Sequence, residues 1–270
     1  MRVHANVDAW SDAANYEPYM GRWSRRLASE FVSWLAVAPG ARWLDFGCGT
    51  GALTTMILHN AQPASVLGLD PSAPYLNAAC AAIRDPRASF MLGTADRIAD
   101  QGSRFDAVVA GLVLNFVPDP RTVLTALRAS LAGGGTFTAY VWDYQAMQMF
   151  HYFWDVASTF HASATRLQNL TRFSELSHDD LEKLMISAGF QDVVGRELIL
   201  PMVFANFDDY WRPLLGRQGP ASYLLGDLTV QDKATLGEAV RAVLPVESDG
   251  SIHLTARAWM VRAAAPPHPK

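Results

Sequence analysis

Three alternating glycines, Gly47, Gly49 and Gly51, lie between two carboxylates, Asp45 and Asp70, in a chain of 270 residues. Glycines at this spacing let a backbone come close to a ligand because no Cβ intrudes. If a helix follows, its first N–H groups have no partner within it and point at whatever polar or anionic group lies there. Asp70 follows Gly49 by 21 residues, a distance at which a carboxylate can accept hydrogen bonds from both hydroxyls of a ribose. Together these residues support a nucleoside as ligand.

The neighbouring sequence supplies the elements that hold them. Trp43, Leu44 and Phe46 form a short apolar run that reads as a buried strand, and Ala52, Leu53, Met56, Ile57 and Leu58 follow at helical spacing. Gly47, Gly49 and Ala52 also satisfy the G-x-G-x-x-G/A dinucleotide fingerprint, which keeps an NAD(P)-dependent oxidoreductase open. Two features point elsewhere: Asp45 occupies a place that is apolar in a dinucleotide strand, and Gly51 extends the run to D-F-G-C-G-T-G. That run resembles the first motif of class I S-adenosylmethionine (SAM)-dependent methyltransferases, close to D-x-G-x-G-x-G. The resemblance extends from about Tyr16 to Val141.

Further elements follow in order. Met20, Trp23, Leu27, Phe31, Trp34 and Leu35 predict an amphipathic helix closed by Pro39-Gly40. Ser65–Leu69 reads as a second strand ending at Asp70-Pro71, and Pro74 starts a helix to about Ile83. Ser89–Leu92 is a third strand and Phe105–Ala110 a fourth, apolar throughout as in a parallel sheet. Arg121–Leu131 is a helix that Gly133, Gly134 and Gly135 are expected to end, before a fifth strand over Thr136–Trp142. A helix is predicted over Met147–Leu170. Ser177 and Asp180 form a capping box for the next one, which stops at Gly189. Val193–Val203 reads as a sixth strand, Asn206–Leu215 and Thr229–Leu244 as helices, and Ser251–Val261 as the last strand.

This order predicts an α/β fold: a Rossmann-like, doubly wound, mostly parallel sheet of seven strands, the last antiparallel, with helical lid insertions. The expected segments are an N-terminal cap helix (1–36), a cofactor core (37–143), a helical lid (144–172), the rest of the core (173–264, with a helical insertion at 206–245) and a frayed tail (265–270).

The resemblance implies S-adenosyl-L-methionine as cofactor and distributes roles. Asp45 and the Gly47–Gly51 turn would hold the methionine end, with Arg22 and Tyr16 on the cap helix as further contacts, Arg22 matching a carboxylate. Asp70 and Pro71 would hold the ribose. Thr94, Ala95 and Asp96 fall in the segment that meets the adenine, although Thr94 stands where the family carries an acidic residue. Gly111 and Leu112 would face the transferring methyl group. Asn115, Asp143 and His151 are candidate catalytic groups, each with an ordinary structural alternative. His161 is a further candidate base, and Tyr16, Trp154 and Trp211 could meet a cationic amine by cation–π contact.

Bulk properties narrow the acceptor. The net charge is −4 with no run of like charge, which disfavours nucleic acid and anionic membrane surfaces. The longest apolar run, Ala107–Leu114, is too short to span a bilayer. Two cysteines, no zinc-ligand spacing and no apolar leader predict a cytoplasmic protein without disulfides or metal. The D/N-P-P-Y run of amino-methylating DNA enzymes is absent after the fourth strand. Neither Cys48 nor Cys80 is placed as a cytosine C5 nucleophile. A small apolar or amphipathic acceptor remains, with a homodimer compatible. The alternatives are an NAD(P)-dependent oxidoreductase and a non-catalytic SAM-binding protein.

Overall fold

The computed structural model describes residues 17–35, 37–99, 105–161, 164, 165, 167, 176–216 and 221–267. Its strands are β1 (Arg42–Phe46), β2 (Ser65–Asp70), β3 (Ala88–Leu92), β4 (Phe105–Gly111), β5 (Leu131–Asp143), β6 (Gln191–Phe204) and β7 (Ile252–Ala264). They form one seven-stranded sheet in the order β3-β2-β1-β4-β5-β7-β6. The pairs β1–β2, β1–β4, β2–β3 and β4–β5 are parallel, and β7 is antiparallel.

Register explains which residues share a place. Asp45 pairs with Gly68 on one side and Val109 on the other, so β1 lies centrally with both neighbours parallel. Leu44, Val66, Leu69, Val108 and Val109 are wholly or almost wholly buried, the pattern of strands covered on both faces. The chain order reverses at β1: it first moves outward to β3, then returns to β4. The carboxyl ends beside that reversal are where ligands bind in open α/β sheets.

The helices are α1 (Arg22–Leu35), α2 (Ala52–Asn60), α3 (Ala73–Ala82), α4 (Asp96–Ala99), α5 (Pro120–Ser130), α6 (Gln148–Phe160), α7 (His178–Ser187), α8 (Phe207–Leu215), α9 (Ala221–Asp227) and α10 (Val230–Val243). Their starts follow from caps. Ser72 accepts from the Tyr75 N–H before α3, with Pro74 in the first turn. Asp119 accepts from the Thr122 N–H, with Pro120 at the start of α5. The predicted Ser177–Asp180 capping box is present, each side chain accepting from the other's backbone N–H. Among the described residues no helix is long and apolar enough to cross a membrane.

Several elements depart from expectation. The triple glycine does not end α5: that helix stops at Ser130, and Leu131, already extended at φ −74°, ψ 147°, opens β5 five residues early. The glycines lie inside the strand, where Phe105 pairs with Leu131 but Ala107 with Thr136, an irregularity that small residues accommodate. The helix expected over Met147–Leu170 ends at Phe160, where His161 turns extended. The cap helix begins with a π-helical turn over Glu17–Gly21. Helix α9, like the short α4, is absent from the sequence reading.

The chain divides into two compact units. One comprises Trp23–Trp142, Leu176–Leu198 and Ala258–Lys270; the other comprises Met1–Arg22, Asp143–Glu175 and Ile199–Arg257. The first is built on a core including Leu44, Val108, Leu124, Leu127, Phe137, Leu181, Met185 and Val261. Fully burying an aliphatic side chain of this size contributes about 1.5–3 kcal/mol.

The second unit is rich in rings. Phe153 packs edge-on to Trp154 with centroids 5.0 Å apart, and Phe207 stacks on Trp211 at 5.8 Å. The buried Tyr210 hydroxyl donates to the Met149 carbonyl at 2.7 Å. Two ion pairs tie this unit across long sequence gaps: Arg22 with Asp209 at 2.8 Å and Arg257 with Asp143 at 2.7 Å.

Candidate active site

The site is assembled within the first unit, at the carboxyl ends of β1 to β4. Strand β1 ends at Phe46, and the next three glycines all have left-handed backbones, with φ of 72°, 54° and 85° at Gly47, Gly49 and Gly51. Gly47 and Gly51 are glycines for a second reason as well. A Cβ on Gly47 would lie 2.4 Å from the Val113 Cγ2, and one on Gly51 would lie 2.5 Å from the Ile83 Cδ1. Gly49 differs: its nearest neighbour there would be Tyr75 Cδ2 at 3.9 Å, so the side of Gly49 is open. A cradle that only a Cβ would fill is the shape needed for close approach of a ligand.

Asp70 joins two chain segments. One carboxylate oxygen accepts from the Gly49 N–H at 2.9 Å and the other from the Ser72 N–H at 2.8 Å. The residue is 7% exposed. Burial raises its pKa, and the two N–H donors oppose the rise. A carboxylate oxygen with one donor retains a lone pair, so both oxygens can still accept from hydroxyls.

Asp45 is buried at 1% exposure and accepts from the Thr54 hydroxyl at 2.6 Å, one oxygen to the first turn of α2. Burial, with Asp70 adding to it, pushes its carboxyl up to about 7, against the pull of Thr54. No cation is paired with Asp45 among the described residues. A buried carboxylate in this state gains from a positive ligand group. Cys48, between the glycines, has its thiol pushed up chiefly by burial and fills the space that Gly68 leaves in β2.

Three further strand ends complete the rim. Beyond β3, Gly93 donates to the Asp70 carbonyl at 3.1 Å, which brings the Thr94–Asp96 segment beside Asp70. The Thr94 hydroxyl donates to the Asp96 carboxylate, which holds that carboxyl below its usual range. Ala95 is buried. Beyond β4, Gly111 lies under the Tyr140 ring, and the Leu112 N–H donates to the Tyr140 carbonyl at 2.8 Å. Asn115 is buried in a 3₁₀ turn over Leu114–Phe116.

The structure therefore brings together Asp45, Gly47, Gly49, Gly51, Asp70, Pro71, Thr94, Ala95, Asp96, Gly111, Leu112 and Asn115 at one end of one unit. Tyr16 lies outside the described residues. Arg22, Asp143 and His151 belong to the other unit. There Arg22 is held by Asp209 and lies 4.9 Å over the Phe204 ring. Asp143 accepts from the Gln145 N–H and from Arg257, and His151 sits half-buried on α6. Sequence reasoning missed Thr54, Ser72, Ile83, Val113 and Tyr140. Only Thr54 had a usable signal, a hydroxyl on the face of α2 that turns inward.

A mostly parallel, doubly wound sheet carries a glycine turn at its reversal and a carboxylate on the next strand. Residues 44–137 match a family model described as a methyltransferase domain. Over this stretch, about a third of the chain, the sequence is similar to methyltransferase domains. The trans-aconitate 2-methyltransferase of Variovorax paradoxus is 34% identical over 110 residues, covering 41% of this chain and 42% of that protein. The chain thus spans less than half the length of this curated relative. Two solved structures share the fold. The YcgJ protein from Bacillus subtilis has a TM-score of 0.60 at 13% identity, covering 89% of this chain and 99% of that one. The phosphoethanolamine N-methyltransferase 2 of Haemonchus contortus, solved with S-adenosyl-L-methionine, has a TM-score of 0.56 at 16% identity, covering 94% and 56%.

Proposed function

We propose that this chain transfers the methyl group of S-adenosylmethionine to a small-molecule acceptor by in-line displacement. The observation that carries the reading is the tie between Asp70 and the Gly49 N–H, beside a glycine whose side is open. It supports reading Asp70 as an acceptor for hydroxyls, next to a backbone that a ligand can touch. The donor set suits SAM: an anionic oxygen pair for the ribose, a buried carboxylate at Asp45 for an ammonium group, and a polar segment at Thr94–Asp96 for the adenine.

When bound, SAM supplies a methyl group already activated on a sulfonium. The chain's own work is then to hold, orient and keep water away, and these can provide much of the rate. Asp70 fixes the ribose while pinning the glycine turn through Gly49 and α3 through Ser72. Asp45 meets the ammonium end. The backbone beyond β4, at Gly111 and Leu112, borders the transfer. No residue is assigned as a general base, which is needed only where the acceptor must lose a proton.

Calorimetry with SAM and with NADH tests the reading. SAM uptake without NADH uptake is expected; tight NADH binding with no SAM binding would mean an oxidoreductase. Transfer of labelled methyl to one of a panel of carboxylates, phenols or amines is expected next. A wholly negative panel despite SAM binding would favour a non-catalytic SAM-binding protein. The reading also takes the enzyme to be cytoplasmic, as two free thiols suit, and sedimentation decides between a monomer and a homodimer.

The acid at Asp45 makes a separate prediction. With a folded value of about 7, it is largely protonated at pH 6. An ammonium ligand favours the carboxylate, so binding releases a proton there. SAM affinity is expected to rise roughly tenfold between pH 6 and pH 7.5, with proton release seen as a buffer dependence of the binding heat. The unliganded protein shows the opposite trend. The folded acid holds its proton better than the unfolded one, so this contribution to stability is full below about pH 4 and is lost as pH rises towards 7. Asp45→Asn should flatten both profiles; an unchanged affinity profile in that variant would remove Asp45 from the ammonium site.

A further inference from the structure

Three non-glycine residues among those described have left-handed backbones: Gln62, Leu112 and Asp192, with φ of 47°, 59° and 51°. Aspartate tolerates this region through its short polar side chain, and Gln62 lies in the loop before β2. Leucine has neither excuse. A bulky apolar residue at positive φ is an outlier that its surroundings must impose. Leu112 is also the one of the three at the carboxyl end of a strand bordering the site.

The β4–β5 ladder reaches Gly111, opposite Tyr140, and the Leu112 N–H still donates to the Tyr140 carbonyl. The Tyr140 ring covers Gly111, where a Cβ would lie 2.6 Å from the phenol oxygen. The chain turns at the next residue, Leu112. Directly afterwards Val113 presents its Cγ2 to Gly47, where a side chain on the glycine would stand. The Phe116 N–H donates to the Val113 carbonyl at 2.9 Å, which closes a turn that buries Leu114 and Asn115.

We infer that Leu112 is a positioning residue of the transfer site: its left-handed backbone, rather than its side chain, turns the end of β4 so that Val113 backs Gly47. The inference rests on the methyltransferase reading above. Through it the acceptor-side turn and the cofactor-side turn share one contact, Val113 on Gly47. A bent leucine is kept because straightening it would withdraw that support.

Side chains that differ in their tolerance of positive φ separate backbone from side chain. Leu112→Gly adopts the conformation freely, Leu112→Asn nearly so, and the β-branched Leu112→Val resists it. Affinity for SAM is measured by calorimetry at a temperature where circular dichroism shows every variant folded, so that stability alone cannot move it. Leu112→Gly and Leu112→Asn are expected to lose about threefold, Leu112→Val at least tenfold, and the melting temperatures to fall in the order glycine, leucine, valine. Val113→Ala is expected to weaken binding as well, and less than additively when combined with Leu112→Val. Glycine binding as weakly as valine would assign the role to the side chain and overturn the inference. So would a valine variant that binds like the parent. A parent that takes up no SAM is a different failure: it overturns the functional reading itself and this role with it.

Discussion

Asp70→Ala is expected to weaken SAM binding by a hundredfold or more while leaving a folded, less stable protein. Two separate losses add. The ribose loses its anionic acceptor, and hydrogen bonds to a charged group contribute about 1.5–3 kcal/mol each. The Gly49 and Ser72 N–H groups lose their partner as well, at about 1–3 kcal/mol for each one left buried. Asp70→Asn divides the two. Its single carbonyl oxygen can satisfy one of the N–H groups, so its melting temperature should lie between alanine and parent. Its affinity should stay close to that of alanine, because the amide turns a donor where the second hydroxyl needs an acceptor. Calorimetry and thermal melts on the three proteins give both readings. An alanine variant that keeps the parent's affinity would remove Asp70 from the ribose site.

Gly51→Ala should lower the melting temperature by several degrees, with much of the loss recovered when Ile83→Val is added. The backbone contributes one part, since a left-handed φ of 85° costs an L-residue about 1–2 kcal/mol. Crowding contributes the other: the new methyl would stand 2.5 Å from the Ile83 Cδ1, and overpacking of this kind costs about 1–3 kcal/mol. Ile83→Val deletes that atom and leaves the backbone term untouched. At about 2–4 °C per kcal/mol for a chain of this size, the single variant falls by roughly 5–15 °C. Recovery in the double variant measures the steric share. If single and double variants melt together, the contact behind the glycine turn is not what restricts this position.

The cofactor half of the site was legible because each part carries a local sign. An apolar strand, alternating glycines and a carboxylate 21 residues after Gly49 can be read without knowing the fold, and the register then placed Asp70 beside Gly49. The Ser177–Asp180 capping box has the same local character. What stayed hidden depends on distant partners. Nothing in the types around Leu112 announces a left-handed leucine, because its neighbours there, Tyr140 on the next strand and Gly47 beside Val113, lie far away in sequence. Ile83 and Val113 matter only where α3 and the end of β4 meet the turn. Three successive glycines after a helix look like a stop, yet here they make the irregular opening of β5. Helix α9 escaped notice because Gly216, Gly219 and Pro220 precede it and read as loop.

Cys48 is buried within the glycine turn, its sulfur against Gly68 of β2, while Cys80 is open to solvent on α3. The chain has no other sulfhydryl. An alkylating reagent should therefore modify a single position in the native protein and two after denaturation. The second modification then serves as a clock for opening of the pocket floor, and a ligand seated there should slow it.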